Sequence, residues 1–392
     1  MGVETVIRRI EEMQFTRIRL ENWRNFGKVD VPVDRRVFLV GANASGKSNL
    51  LDALRFLRDL VKTGGGFQSA IESRGGVSKI RNLAARKITQ ITLDVDLGEG
   101  RHRLWRYRLV FNQDNNRRPV LKEEKAWDSC DKLVLCRPDE DDKRDDVRLR
   151  QTQLEQVFAN EKFRDIADFF RSISYSHIVP QLVRDPDRNT GQTNDPFGSD
   201  FLEQIAIADK RNQGANLRRI QDVVRKVIQQ LSDLELWRDE RGSPHLRIKY
   251  EHWRPKGAWQ NETDLSDGTL RLIGFLWALQ EGRGPLLLEE PELSLHPALV
   301  RYLPQLMNEI QRVRRKALRQ VILSTHSPEL LMDEGIGAHE VLLIRPAMEG
   351  SDVILGADNR DIRNELRHGL PMSEIVMART QPSSLEQLLL LG

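Results

Sequence analysis

The sequence predicts an α/β protein: a central, mostly parallel sheet joined by an antiparallel β lobe and a helical insertion. Three observations predict it. Short apolar strands at 37–40 (VFLV), 285–290 (PLLLEE) and 320–326 (QVILSTH) alternate with segments whose apolar residues recur at helical spacing, as strands covered on both faces do. Two period-2 segments, ITQITLDVDL (88–97) and RLWRYRLVF (103–111), flank GEGRH and read as a hairpin. Between about 150 and 233 the pattern turns helical.

In chain order, FTRIRLENW (15–23), KVDVPV (28–33) and VFLV read as strands, and NLLDALRFLRDLVK (49–62) as an amphipathic helix. Residues 63–79, with TGGG and RGG, read as a loop. The charge-mixed RPDEDDKRDD (137–146) reads as an exposed loop, and 153–172 as an amphipathic helix. Residues 184–199 hold turn formers and almost no apolar side chains. Helices near 200–209 and 215–231 precede strands LELWRD (234–239) and HLRIKYEHW (245–253). From Leu265 the order is loop, apolar helix, strand, helix, strand, helix, strand EVLLIR (340–345). The simplest organisation is one discontinuous α/β domain, 1–150 and 234–392, with a helical insertion at 151–233.

Composition narrows the function classes. The 392 residues are 39% hydrophobic and 30% charged with a formal charge of +3, which describes a soluble globular chain and makes no argument for nucleic acid. Two cysteines, Cys130 and Cys136, are too few for a disulfide framework and match no zinc spacing. MGVETVIRRIEEMQF has no apolar core of a signal peptide, and Val6 removes the myristoylation pattern. The longest apolar run, 272–279, falls far short of the roughly 20 residues of a membrane span. The expected location is cytoplasmic.

The most specific chemistry lies in Gly41, Ala42, Asn43, Ala44, Ser45, Gly46, Lys47 and Ser48, which match G-x-x-x-x-G-K-[ST] between a strand and a helix. The glycines let backbone amides wrap an anion, and the helix N-terminus adds positive potential. Lys47 is expected to reach the β- and γ-phosphates of ATP, and Ser48 to ligate Mg²⁺. Glu289 and Glu290 leave the end of an apolar strand, the end at which open α/β sheets hold ligands. Adjacent strand residues point opposite ways, so Glu289 is expected to face Mg²⁺ and Glu290 the attacking water. His326 ends the next apolar strand, within reach of the γ-phosphate.

The ordered set LENWRNF (20–26), GANASGKSN (41–49), LSDGTLR (265–271), LLLEEPELSLHP (286–297) and STHSPELL (324–331) resembles the ABC-type ATPases of the SMC, RecF and OLD-like branch. It is most similar to stand-alone prokaryotic ATPases often found in phage-defence loci. The resemblance spans nearly the whole chain and implies a P-loop NTPase of ABC-ATPase head type. It also implies ATP sandwiched between two heads, with Ser266 and Gly268 touching the γ-phosphate bound by the other copy. Glu290 matches the catalytic glutamate and His326 the switch histidine; Arg24 and Asn43 match positions near the phosphates.

Three departures stand out. Asp267 puts a carboxylate in the signature segment, Glu289 replaces the usual aspartate, and no glutamine is assigned to the Q-loop, for which Gln68 and Gln90 are candidates. About 240 residues separate Lys47 from Glu289, too few for a long coiled-coil arm, and about 60 follow His326, too few for an OLD-type nuclease domain. Effector activity is therefore expected in a separate protein, plausibly a nuclease. Two basic clusters raise DNA as a partner: Arg312, Arg314, Arg315, Lys316 and Arg319 at a helix end, and Arg101, Arg103, Arg106 and Arg108 with Trp105 and Tyr107 in the hairpin. The leading expectation is an ATP-hydrolysing dimeric switch in genome maintenance or phage defence. The alternatives are a slow-turnover, ATP-gated scaffold restraining a toxic partner and a transporter subunit. The apolar end of MARTQPSSLEQLLLLG is expected to dock on the core.

Overall fold

The alternation that begins at Phe15 builds the first sheet. β1 (Gln14–Trp23) pairs antiparallel with β2 (Phe26–Pro32), setting Leu20 opposite Val29. On its other edge β1 pairs with β4 (Ile91–Glu99), followed by β5 (His102–Gln113), β6 (Pro119–Trp127) and β7 (Leu133–Arg137). The order is β2-β1-β4-β5-β6-β7, antiparallel throughout. The expected hairpin is thus part of a larger lobe that β6 and β7 extend.

These elements come from a computed structural model that describes residues 12–85, 89–100, 102–185, 195, 197–228, 230–251, 258–313 and 318–380. Residues 186–194 of the expected 184–199 loop, the terminal segment 381–392, Arg101 and residues 314–316 lie outside the described residues. The chain divides into two compact units: Met1–Ser174, Arg283–Leu287 and Lys316–Gly392 form the first, and Tyr175–Gly282 and Leu288–Arg315 the second. The expected 151–233 insertion is shared between them.

In the first unit, α1 (Lys47–Val61) is held by aromatic contacts: Phe56 lies 5.4 Å from Trp23 and 5.7 Å from Phe111, centroid to centroid. α2 (Arg164–Arg171) docks through Phe169 and Phe170, whose rings lie 5.1 and 6.2 Å from Phe15. Truncating any one of these buried rings costs about 3–5 kcal/mol. α2 is shorter than the helix expected over 153–172. Before it, Thr152 Oγ1 donates to Glu155 and Asn160 Nδ2 to the Leu154 carbonyl, local bonds that compete with helix.

The second sheet is ordered β15-β14-β3-β13-β12-β8. β3 (Arg36–Gly41) runs parallel to both β13 (Val321–Thr325) and β14 (Val341–Ala347), and β15 (Gly350–Leu355) closes the edge antiparallel to β14. Val37, Phe38, Leu39 and Val40 are at most 1% exposed, which explains why β3 has no polar face. The chain passes between the units within β12 (Leu286–Glu289) and within β8 (Ser174–Ser176).

The second unit holds α3 (Pro180–Val183), α4 (Phe201–Ile207), α5 (Lys210–Val227), α6 (Asp267–Gln280) and α7 (Leu303–Val313). It also holds a three-stranded antiparallel sheet, ordered β11 (Ala258–Asn261), β10 (Pro244–Tyr250), β9 (Leu231–Arg238). α6 is apolar around most of its circumference and is packed by α3, α5 and α7. Among the described residues no helix is long and apolar enough to cross a membrane. Cys130 and Cys136 are free and exposed.

Candidate nucleotide-binding site

β3 and β13 are in parallel register, with Val40 opposite Thr325, so Gly41 and His326 leave neighbouring strands at the same end. That is the ligand-binding end of an open α/β sheet. Gly41 is confined: a Cβ there would lie 2.5 Å from the Ile344 carbonyl oxygen. Ala44 takes φ 62° and Gly46 φ 112°, turning the loop into α1, which begins at Lys47. No acidic side chain sits in the first turn of α1, so its N-terminal positive potential is not cancelled there.

The loop offers a donor set that fits phosphate. Lys47 is 5% exposed and its Nζ donates to the carbonyls of Gly41 (2.9 Å) and Ala42 (3.2 Å). The Ser45 hydroxyl is buried and has no hydrogen-bond partner among the described residues. Asn43, Ala44 and Ser48 are exposed along the outer rim.

A residue the sequence reading passed over ties this loop down. Asn25 Nδ2 donates to the Ser45 carbonyl (2.7 Å) and to Ser351 Oγ (2.9 Å), while its Oδ1 accepts from Asn49 Nδ2 (2.8 Å). The Asn25 carbonyl also accepts from the Ser351 amide at 2.7 Å. The phosphate loop, α1 and the β14–β15 hairpin therefore share one amide. Its signal lay in the WRNF motif, one residue beyond Arg24.

Arg24, expected beside the phosphates, lies with its Nη2 2.8 Å from Asp52 of α1. Asp52 also pairs with Arg55 and Arg74, each at 2.9 Å. Burial works to raise the Asp52 pKa, but Arg74, Arg55 and Arg24 hold it below its ordinary value. A depressed folded pKa contributes stability above the unfolded value of about 3.9, lost as pH falls through the folded pKa. Asp52→Asn should therefore cost about 3 kcal/mol at neutral pH, with the difference from wild type shrinking below about pH 4. Melting temperature against pH checks this; parallel curves would contradict it.

The acidic pair belongs to the second unit. β12 ends at Glu289, whose carboxylate accepts a hydrogen bond from the Tyr175 hydroxyl and whose carbonyl lies 3.1 Å from His177 Nδ1. Neither partner was read from the sequence. Glu290 takes φ 42°, a left-handed conformation rare for a side chain of this kind. The alternation expected of adjacent strand residues therefore stops at Glu289, and a turn, not the strand, aims Glu290.

In the signature segment Ser266 caps α6, accepting from the Thr269 amide at 3.2 Å, and is itself exposed. A Cβ on Gly268 would lie 2.5 Å from the Ser294 carbonyl oxygen, so only glycine fits. Asp267 is bonded to Arg184 (2.6 Å) and Gln181 (3.3 Å).

Residues 36–333 match the family described as "AAA domain, putative AbiEii toxin, Type IV TA system". The chain belongs to this family. Among curated proteins it is similar to Endonuclease GajA of Bacillus cereus (strain VD045), 22% identical over 364 residues. That match covers 82% of the chain, which spans 57% of the relative's length. Among solved structures it is similar to an SMC head bound to the C-terminal winged-helix domain of ScpA, with TM-score 0.53 and 13% identity, covering 87% of this chain and 97% of that one. The fold is that of an ABC-type ATPase head, as in the SMC head.

The described arginines of the two basic clusters in this AAA-domain chain all have acidic or carbonyl partners. Arg106 lies 2.6 Å from Asp94, Arg108 2.8 Å from Glu123, and Arg103 pairs with Asp131. Arg319 is 3% exposed and donates to the Gly284 carbonyl, and Arg312 lies 3.7 Å from Glu309. Gln68 donates to the carbonyls of Pro119 and Arg150, and the Gln90 carbonyl accepts from Asn22.

Proposed function

We propose that this AAA-family chain binds and hydrolyses ATP and works as a nucleotide-driven homodimeric switch in the cytoplasm. The observation that carries the reading is the Gly41–Ser48 loop, where buried Lys47 and the N-terminus of α1 stand at the ligand end of β3. Lys47 exchanges neutral carbonyl partners for the β- and γ-phosphates, and the loop amides hold the remaining oxygens. Ser48 and Glu289 would hold Mg²⁺, which supplies charge neutralisation across those phosphates. The Tyr175 hydroxyl fixes the Glu289 carboxylate. Glu290 accepts the proton of the attacking water, and His326 orients that water against the γ-phosphate. Ser266 and Gly268 complete the site from a second copy, and hydrolysis separates the two.

We place this switch in genome maintenance or anti-phage defence, acting on a separate effector, with a nuclease the favoured kind. The endonuclease name of the GajA relative and the toxin–antitoxin wording of the family description support that reading. The slow-turnover alternative drew on the charge of Asp267, which is paired with Arg184. Phosphate release in a single turnover tests the enzyme reading. Wild type should release phosphate with Mg²⁺ and not with a chelator, and ATP bound without release in both conditions would contradict it.

A further inference from the structure

The signature segment poses a problem that its own residues do not solve. Asp267 sits between Ser266 and Gly268, the two groups proposed to receive the γ-phosphate held by a second copy. A bare carboxylate there repels the phosphate it adjoins.

Asp267 is not bare. Arg184 Nη2 lies 2.6 Å from its Oδ1, and the same nitrogen donates to the Leu265 carbonyl at 2.7 Å, just before the segment. Gln181 Nε2 donates to Oδ2 at 3.3 Å. Both donors come from α3 and the residue that ends it, so a separate element grips both carboxylate oxygens. The side chains of Arg184 and Asp267 are 23% and 38% exposed, so the pair is partly screened by water. Arg271, one turn along α6, adds a cation whose charge is felt with those of Asp267, Glu290 and Glu292, although burial is the larger influence and lowers its pKa.

We propose that Arg184 is the positioning residue that lets an aspartate-bearing signature segment receive phosphate. It cancels the charge of Asp267 and turns the carboxylate back towards α3. That leaves the exposed Ser266 and the first turn of α6 to meet the phosphate. The inference rests on the reading of Ser266 and Gly268 as a surface completed by another copy.

The test is ATP-driven association in a Glu290→Gln background, measured by sedimentation with ATP and Mg²⁺. Arg184→Met should weaken association at least about tenfold, because it exposes the full charge of Asp267. Asp267→Asn alone should change it less than about threefold, and the pair together should restore it to within about threefold of the parent. A pair that only fastens α3 to α6 behaves differently: both single variants lose melting temperature and association together, and the double variant recovers nothing. That outcome, or unchanged association in Arg184→Met, overturns the inference. Should Arg184→Met fail to fold, Arg184→Lys keeps the charge and should associate like its parent; loss of association there overturns the inference too. If the parent binds ATP without associating, the dimer reading fails and takes this inference with it. If the parent associates and the charge pattern is missing, the inference alone fails.

Discussion

Glu290→Gln should slow single-turnover ATP hydrolysis by about 10²–10⁴-fold, the usual contribution of a positioned general base, while leaving ATP affinity within about threefold. The substitution is nearly isosteric and leaves the backbone turn at Glu290, with its φ of 42°, untouched. It removes the proton acceptor and little else. Glu289→Gln gives a useful contrast, because that carboxylate accepts from Tyr175 and is assigned to the metal. Its loss should appear as a raised Mg²⁺ requirement, whereas the Glu290 variant should keep the wild-type requirement. Phosphate release at an unchanged rate in Glu290→Gln would remove that residue from the chemistry.

Gly46→Ala should abolish useful ATP binding, with a loss of at least about 100-fold, equivalent to about 2.7 kcal/mol. Two independent costs fall on one methyl group. Gly46 has φ 112°, which an L side chain rarely adopts and which costs of order 1–3 kcal/mol. A Cβ there would also collide with the Asn25 amide, the group that anchors the Ser45 carbonyl and bonds Asn49. The loop has to shift to relieve the clash, and the shift moves the amides that face phosphate. Asn25→Ala makes room but releases the anchor, so its loss should be smaller, about tenfold. Titration calorimetry with ATP reads both, and circular dichroism should show melting within a few degrees of wild type. Wild-type affinity in Gly46→Ala would mean that the loop does not hold phosphate through its present shape.

Much of this arrangement was legible because local chemistry dictated it. The apolar runs around β3, β12 and β13 are buried strands, and the glycines at 41 and 46 answer to a close carbonyl and a left-handed turn. What was hidden came from contacts between distant segments. Tyr175 on Glu289 and Arg184 on Asp267 link residues 114 and 83 positions apart, and no spacing pattern announces such pairs. Asn25 escaped because an asparagine in a turn is ordinarily a turn former; its role depends on Ser351, 326 positions away. Arg24 hides its partner for a related reason: its guanidinium lies against buried Asp52, 28 positions away on α1. The hairpin arginines hide theirs in the same way, since their carboxylate partners Asp94, Glu123 and Asp131 sit on neighbouring strands or turns.

The central claim is that ATP joins two copies of this chain. Sedimentation of Glu290→Gln with ATP and Mg²⁺, compared with ADP, tests it most directly. The account predicts a shift from 45.3 kDa to twice that mass with ATP and none with ADP. A variant that binds ATP yet keeps the same mass under both nucleotides would contradict it.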